Sequence, residues 1–470
     1  MKRKLLQNLS ANALQLIINQ LFALVIFYIL SISLSKDSFG LINLALAILL
    51  AAFNILSFGI DQVIIKKIAA GDDAQSVLSL YISHVLITGL LFYGLLLAGL
   101  ALFPHQPVYS LLLLIGIGKL MIYFSTPFKQ AANGLELFKL VAYLSVISNF
   151  ARCICLVVAA LLHAINLPVI VAFFIIGDTL ELVIGVYLFK RMVKVPLTNK
   201  WNKANYINLV RESLPQVGVV LITSALARFD WIFIGFILSA IKLAEYSFAY
   251  KVFEVSTLPL LAIAPLLIPH FTKLFKQQNI HIPNFKTLIR VEMVVAGFIG
   301  LVLNMCWGPV IDGITAGKYG AINVNTIFIL SLCMPFLYLN NFLWTMYFAQ
   351  GRLKMILTAF IITLIVNVAG DIILIPFYKN EGAAFAFLIA CIAQAIYFLK
   401  KNEIAGLNTI WQPLVICVTC AVCSGLITKI LLLNTWVAVP VAVAIYLVFL
   451  LATTQVKLTD RKNLGRLLNW

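Results

Sequence analysis

A chain of 470 residues that is 63% apolar and 11% charged, with a mean hydropathy of +1.04, is not a soluble globule. Its formal charge of +17 would suit a nucleic-acid partner, yet most basic residues sit in short segments between long uncharged runs. That is the pattern of a multi-pass membrane protein, and no nucleic acid is expected as a partner.

A hydrocarbon core about 30 Å thick takes roughly 20 residues of helix. The apolar runs predict an all-α polytopic protein with about fourteen spans, at 10–34, 40–63, 78–102, 108–129, 141–163, 168–190, 209–235, 245–268, 287–309, 325–348, 355–376, 382–399, 413–432 and 435–453. The runs do not show the alternating ten-residue strands of a membrane barrel. The opening Met1-Lys-Arg-Lys followed by a long apolar run reads as the first span and not as a signal peptide. Basic residues divide 23 to four between the two sets of loops, the minority side holding Lys36, Lys242, Lys318 and Lys379. This bias predicts both termini in the cytoplasm.

The longest connection, within 191–208, separates six spans from the next six. The expected layout is an N-terminal lobe at 1–190, a cytoplasmic linker at 191–208, a C-terminal lobe at 209–400, and two further spans with a tail at 401–470. The segment 34–50 resembles 241–257 in layout: a span ends, a short charged outer turn follows, then Phe39-Gly40 or Tyr246-Ser247 opens the next span. Two parallel, pseudo-symmetric six-helix lobes would produce that repeat.

Polar residues at membrane depth mark functional positions. In the first span, Asn12, Gln15 and Asn19 share one face, either as interhelical glue or as the lining of a wet cavity. Asp61 lies near the inner end of the second, close to Lys66. In the fourth, Gly116 and Gly118 suit close helix approach, and Lys119 has apolar chain on both sides. Asn149 and Arg152 lie one turn apart in the fifth. Asp178 and Glu181 share a face in the sixth, where they would hold a proton or cation or serve as partners of Arg152 or Lys119.

The densest cluster is in the seventh and eighth spans. Arg228 and Asp230, two apart, point about 200° away from each other, whereas Lys251 and Glu254, three apart, share a face. Pro215, Pro259, Pro265 and Pro269 interrupt the same spans, each freeing a carbonyl and bending the helix. Arg290 and Glu292, near the inner end of the ninth, read as interface residues, and Asn367 and Asp371 form a polar face in the eleventh. Cys417, Cys420 and Cys423 recur every third residue and read as packing groups, not a metal site. There is no phosphate-cradling glycine loop and no HExxH, so neither an ATPase nor an enzyme is expected. Energy would come from an ion gradient, with Na+ or H+ as the coupling ion, from the membrane potential, or from the cargo's own gradient.

Asn12 in the opening span, Phe39-Gly40, the run Phe58-Gly59-Ile60-Asp61 with Ile64 to Ala69, Ser213-Leu214-Pro215, Arg228–Asp230, and Tyr246 through Pro269 together resemble the polysaccharide transporters of the multidrug/oligosaccharidyl-lipid/polysaccharide (MOP) exporter superfamily. Among these, the Wzx-type O-antigen flippases are the branch most resembled. The resemblance implies a two-lobed bundle that opens alternately to the two sides of a bacterial cytoplasmic membrane. It implies an undecaprenyl-diphosphate-linked oligosaccharide as cargo, no cofactor, and a polysaccharide polymerase and chain-length regulator as neighbours in the membrane. Carried over, Arg228 and Lys251 would contact the diphosphate, helped by Arg152 and Lys119, with Asn12, Gln15 and Asn19 near the sugars. Glu254, Asp230, Asp61, Asp178, Glu181 and Asp371 would couple ions or pair charges. Competing readings are a cation-coupled multidrug exporter of the same fold, a membrane scaffold, and a lipid-linked sugar polymerase. The last is disfavoured by the small outer loops.

Overall fold

The computed structural model describes residues 2–103, 106–193, 201–276, 282–404, 409–431 and 434–457, and every regular element among them is a helix. Ten of the helices are long and apolar enough to cross a membrane, and two shorter apolar helices, Ile18–Ser33 and Trp436–Ala452, accompany them. Contacts divide the chain into two compact units, Met1–Ala244 and Glu245–Trp470.

The first unit contains α1 (Lys2–Ser33), α2 (Lys36–Leu56), α3 (Ile60–Ala69), α4 (Ala74–Leu102), α5 (Pro107–Gly134), α6 (Phe138–Leu161), α7 (Leu167–Met192) and α8 (Lys203–Ile237). Polar caps set several boundaries by satisfying backbone N–H groups that a helix start leaves unpaired. Ser35 accepts from Ser38 N–H at 3.2 Å, Asn166 from Val169 N–H at 2.9 Å, and Asn202 from Ala204 N–H at 2.9 Å. The central helix is α5, which packs on α2, α3, α4, α6 and α7 and has 56% of its apolar window buried. By contrast only 22% of the α4 window is buried, and Leu90, Leu91, Leu95 and Leu97 stand exposed along it. In a bilayer such a face meets lipid.

The run predicted as one span at 40–63 is two helices. Phe58 at φ 52° and Gly59 at φ 68° break it, and α3 restarts with Asp61 in its first turn. A bulky Phe in the left-handed region is uncommon and needs its surroundings to hold it there. Gly59 also abuts the backbone of Gln216 in α8, leaving no space for a Cβ.

The second unit begins within α9 (Ala240–Ser256) and continues with α10 (Leu258–Lys276), α11 (Ile282–Thr315), α12 (Val324–Ala349), α13 (Leu353–Lys400), α14 (Gln412–Ile430) and α15 (Thr435–Ala452). The predicted span 245–268 is likewise two elements, α9 and α10, parted at Thr257 just before Pro259. Here α12 is the central helix, packed on α10, α11 and α13, with 61% of its window buried. Tyr347 Oη donates to the Phe398 carbonyl and Asn340 Nδ2 to the Cys391 carbonyl, both at 2.9 Å, which ties α12 to the second half of α13.

The 48 residues of α13 are a hairpin. Lys379, at φ 52° and ψ −127°, is its one non-helical residue. Gly370 lies against Ala386, and Gly382 against the Leu374 carbonyl group, so the two halves run antiparallel about that turn.

Gly40 carries a sharper demand, since a Cβ there would overlap the backbone of Ala240, the first residue of α9 and still part of the first unit. Overpacking against backbone costs about 1–3 kcal/mol. The variant Gly40→Val should therefore lower the apparent Tm of detergent-purified protein by several degrees. Gly94→Val, where nothing lies within 4 Å of the added atom, should not.

Candidate functional site

The first unit buries a connected set of charges on α5, α6 and α7. Its centre is Asp178, whose side chain has no exposed surface. Lys119 Nζ donates to Asp178 Oδ2 at 2.9 Å, Ser148 Oγ donates to Oδ1 at 2.5 Å, and the Arg152 guanidinium pairs with the same Oδ1 and donates to Ser148 Oγ. One turn along α7, Glu181 accepts from Ser125 Oγ at 3.1 Å and pairs with Lys129. The Phe174 ring, one turn before Asp178, lies 4.4 Å from the Arg152 guanidinium carbon and 5.5 Å from Lys119 Nζ. A ring face is a favourable surface for a desolvated cation.

Helical spacing explains why these groups meet. Phe174, Asp178 and Glu181 recur at steps of four and three on α7, and Ser148 and Arg152 are four apart on α6. Glycines bring the backbones close enough. A Cβ on Gly118 would stand 2.8 Å from Asp178 Oδ2 and 3.1 Å from the Phe174 carbonyl oxygen, and one on Gly177 would stand 3.0 Å from the Ser148 carbonyl oxygen. The set extends to α1, where Arg152 Nη1 donates to Asn149 Oδ1 at 3.2 Å and Asn149 Nδ2 donates to Asn19 Oδ1 at 2.6 Å. Arg152 Nε is buried with no hydrogen-bond partner among the described residues, so one guanidinium N–H has a place for another acceptor.

The structure thus brings together five sequence-predicted residues: Asn19, Lys119, Arg152, Asp178 and Glu181. Gln15 is half-buried on α1, and Asn12 lies outside the residues whose side chains are described. Lys129, counted from sequence among the 23 basic residues of the inner loops although it ends the expected span 108–129, lies inside α5 as the partner of Glu181. Its spacing of ten from Lys119, almost three helical turns, is the signal that would have placed both on one face. Ser125 and Ser148 were also missed, since serines in apolar helices usually bond only to their own backbone.

The other predicted residues have described contacts within their own units. On α8 the Arg228 guanidinium lies 4.4 Å from the Trp231 ring, while Asp230 Oδ1 accepts from the Trp231 N–H at 2.8 Å. Lys251 Nζ donates to Glu254 Oε2 at 2.7 Å, and the Lys251 side chain is 11% exposed against 31% for Glu254. Phe387 of α13 lies 6.3 Å from both Tyr250 and Phe253, so aromatic rings flank Lys251. Asn367 Nδ2 donates to Asp371 Oδ2 at 3.1 Å, with both residues buried in α13. Asp61 Oδ1 is buried and makes no hydrogen bond among the described residues. Among those residues no three His, Cys, Asp or Glu side chains converge on a metal-sized space, and all eight cysteines are free.

A second feature lies within the second unit. A cleft of about 190 Å³ runs between α11, α12 and α14, walled by residues such as Gly300, Leu301, Phe328, Val422 and Leu426, with Asn304, Ser331 and Lys429 as its polar members.

A bundle of helices with a buried charge set held between transmembrane segments is the framework of a membrane protein of the MOP fold. Solved structures agree. A structure described as the lipid II flippase MurJ in an inward closed conformation superposes with a TM-score of 0.72 at 14% identity, covering 94% of this chain and 98% of that one. An inward-facing multidrug resistance MATE family transporter of the MOP superfamily gives 0.67 at 14% identity, covering 81% and 93%. A MOP superfamily transporter from Pyrococcus furiosus gives 0.57 at 15% identity, covering 83% and 93%. More specifically, the chain belongs to the polysaccharide biosynthesis protein family (Polysacc_synt), whose model matches residues 5–275. Comparison with curated protein sequences gives no match.

Removing one partner from a buried ion pair leaves an uncompensated charge, at a cost of about 3–5 kcal/mol. Asp178→Ala should therefore lower the Tm of the purified protein strongly, and pairing it with Arg152→Met should recover part of the loss. Glu254→Ala, at a more exposed pair, should cost far less. Thermal unfolding in detergent reads all three.

Proposed function

We propose that this protein is a flippase that moves an undecaprenyl-diphosphate-linked oligosaccharide, an O-antigen-type repeat unit, from the inner to the outer leaflet of a bacterial cytoplasmic membrane. It does so by alternating access, with both termini in the cytoplasm. The two lobes at 1–190 and 209–400, linked by 191–208, rock about the cargo, and the helices in 401–470 complete the bundle at fourteen spans.

The observation that carries this reading is the cation surplus at membrane depth: Lys119, Lys129 and Arg152 against Asp178 and Glu181. A carrier of cationic drugs would want the opposite balance. An anionic diphosphate needs concentrated positive charge in a low-dielectric setting, and an arginine fork matches it in geometry. Asp178 holds Arg152 and Lys119 while no cargo is bound, and diphosphate oxygens take over part of that role when it arrives. Arg228 and Lys251 supply further positive charge from α8 and α9. The sugars meet Gln15, Asn19 and Asn149.

The apolar cleft between α11, α12 and α14 suits an isoprenoid chain, with Lys429 at its margin for the charged head. Membership of a polysaccharide biosynthesis family supports this class of cargo, and the lipid II flippase offers a precedent for the fold. An ion gradient drives the cycle, with Asp371, Asp230, Asp61 and Glu254 as the acids through which Na+ or H+ acts. A polymerase and a chain-length regulator of the same membrane receive the product.

Arg228→Ala and Lys251→Ala should each cut surface polysaccharide by about tenfold or more, the effect of losing one charged hydrogen bond of about 1.5–3 kcal/mol, at unchanged membrane abundance. Normal export by both variants would remove them from the cargo path. Deleting the gene should trap the lipid-linked oligosaccharide on the cytoplasmic face. If probes added from outside reach as much of it in the deletion strain as in the parent, the flippase reading fails.

A further inference from the structure

Glu292, in the third turn of α11, is 5% exposed, and neither carboxyl oxygen has a hydrogen-bond partner among the described residues. Sequence alone marked it as an interface residue. Among the described residues no cation is bonded to it. From α12 it has the Tyr338 hydroxyl within electrostatic reach, itself buried and without a partner. On α14, the Cys417 carbonyl oxygen abuts Gly297. The Tyr446 hydroxyl of α15 is occupied, donating to the Val294 carbonyl at 3.1 Å. Arg290, on the same helix, is two residues away and points about 200° round the axis, and it acts on Cys417. Neither Glu292 oxygen bonds to it.

A carboxylate so placed would be an unpaired charge out of reach of water, whereas a carboxylic acid carries no charge. A hard cation is no substitute, since it asks for about six oxygens, and a carboxyl and a phenol supply three between them. The cleft between α11, α12 and α14 lies along the same helix. Going up α11 from Glu292 at steps of four come Ala296, Gly300 and Asn304, all lining the cleft between α11, α12 and α14. The two small residues leave the face between carboxyl and cleft free of bulk, and Asn304 and Ser331, 2.5 Å apart, offer polar anchors at its far end.

We propose that Glu292 is a proton-binding site of the second unit, exchanging its proton through this cleft while no isoprenoid chain fills it. The chemistry is confined to one O–H bond: a hydronium in the cleft gives up its proton to the carboxylate and leaves as water, and the reverse step returns it. In the transport cycle, which rests on the flippase reading, this is a further acid, beside Asp371 and Glu254, through which a proton gradient would act on the second unit.

The test needs no cargo, so its outcome is independent of what the protein carries. Full-length protein in liposomes is compared with Glu292→Gln by infrared difference spectroscopy at pH 7, in the carbonyl-stretch region of protonated carboxylic acids. The wild type should show a band that shifts on exchange into deuterated buffer and is missing from Glu292→Gln, while Asp371→Asn should leave that band in place. Lack of the band in wild type, its survival in Glu292→Gln, or its failure to shift in deuterated buffer would each overturn the proposal. So would its loss on adding sodium ions at constant pH, which would mark a cation site. A circular-dichroism spectrum matching wild type confirms that the glutamine variant is folded.

Discussion

The first unit depends on one carboxylate. Asp178, wholly buried between α5, α6 and α7, is the acceptor on which Lys119, Arg152 and Ser148 converge. Desolvating an ion costs several kcal/mol even after relaxation, and a shared carboxylate offsets that cost for two cations at once. The glycines at 118 and 177 follow from it, since a β-carbon at either position would intrude on the backbones or the carboxylate itself. Phe174 presents its ring to both cations, and Asn149 hands the connection on to α1. Remove the acid and the remaining parts have no reason to lie together. The same arrangement shows how a bundle can keep two cations buried on one carboxylate.

The two units bury charge by different means. In the first, acids and bases are linked across three helices. In the second, Lys251 pairs with Glu254 and Asn367 with Asp371 along single helices, and Glu292 makes no hydrogen bond among the described residues. A linked set resists change because altering one member exposes several. Local pairs and a lone carboxyl can change state one at a time.

Much of this was legible in the sequence because bilayers impose strict rules. Long uncharged runs marked the helices, and the i, i+3 spacing of Asp178 and Glu181 placed both on one face. What remained hidden has physical reasons. Lys129 sat where the apolar run was expected to end, so it was taken for a loop cation, although helix α5 continues to Gly134. The break at Phe58–Gly59 was invisible because a single glycine in an apolar run does not announce a positive φ, and Phe58 shares it. The separation of α9 from α10 was half visible, since Pro259 interrupts the span but the parting falls at Thr257, two residues earlier. Glu292 was misjudged because depth depends on what packs around a residue, and two helical turns from a helix start tell nothing of Tyr338 opposite.

The hairpin of α13 has a mechanical consequence. Its two halves are joined by a single non-helical residue and locked at Gly370–Ala386 and Leu374–Gly382, so the turn stores no slack. Helices joined by a long loop can slide past one another; these cannot shift by a fraction of a turn without pulling Lys379 out of its conformation. Residues 353–400 must therefore travel as one stiff strut. Because Tyr347 and Asn340 fasten α12 to the same strut, a tug at either end of it is transmitted across the full thickness of the bilayer.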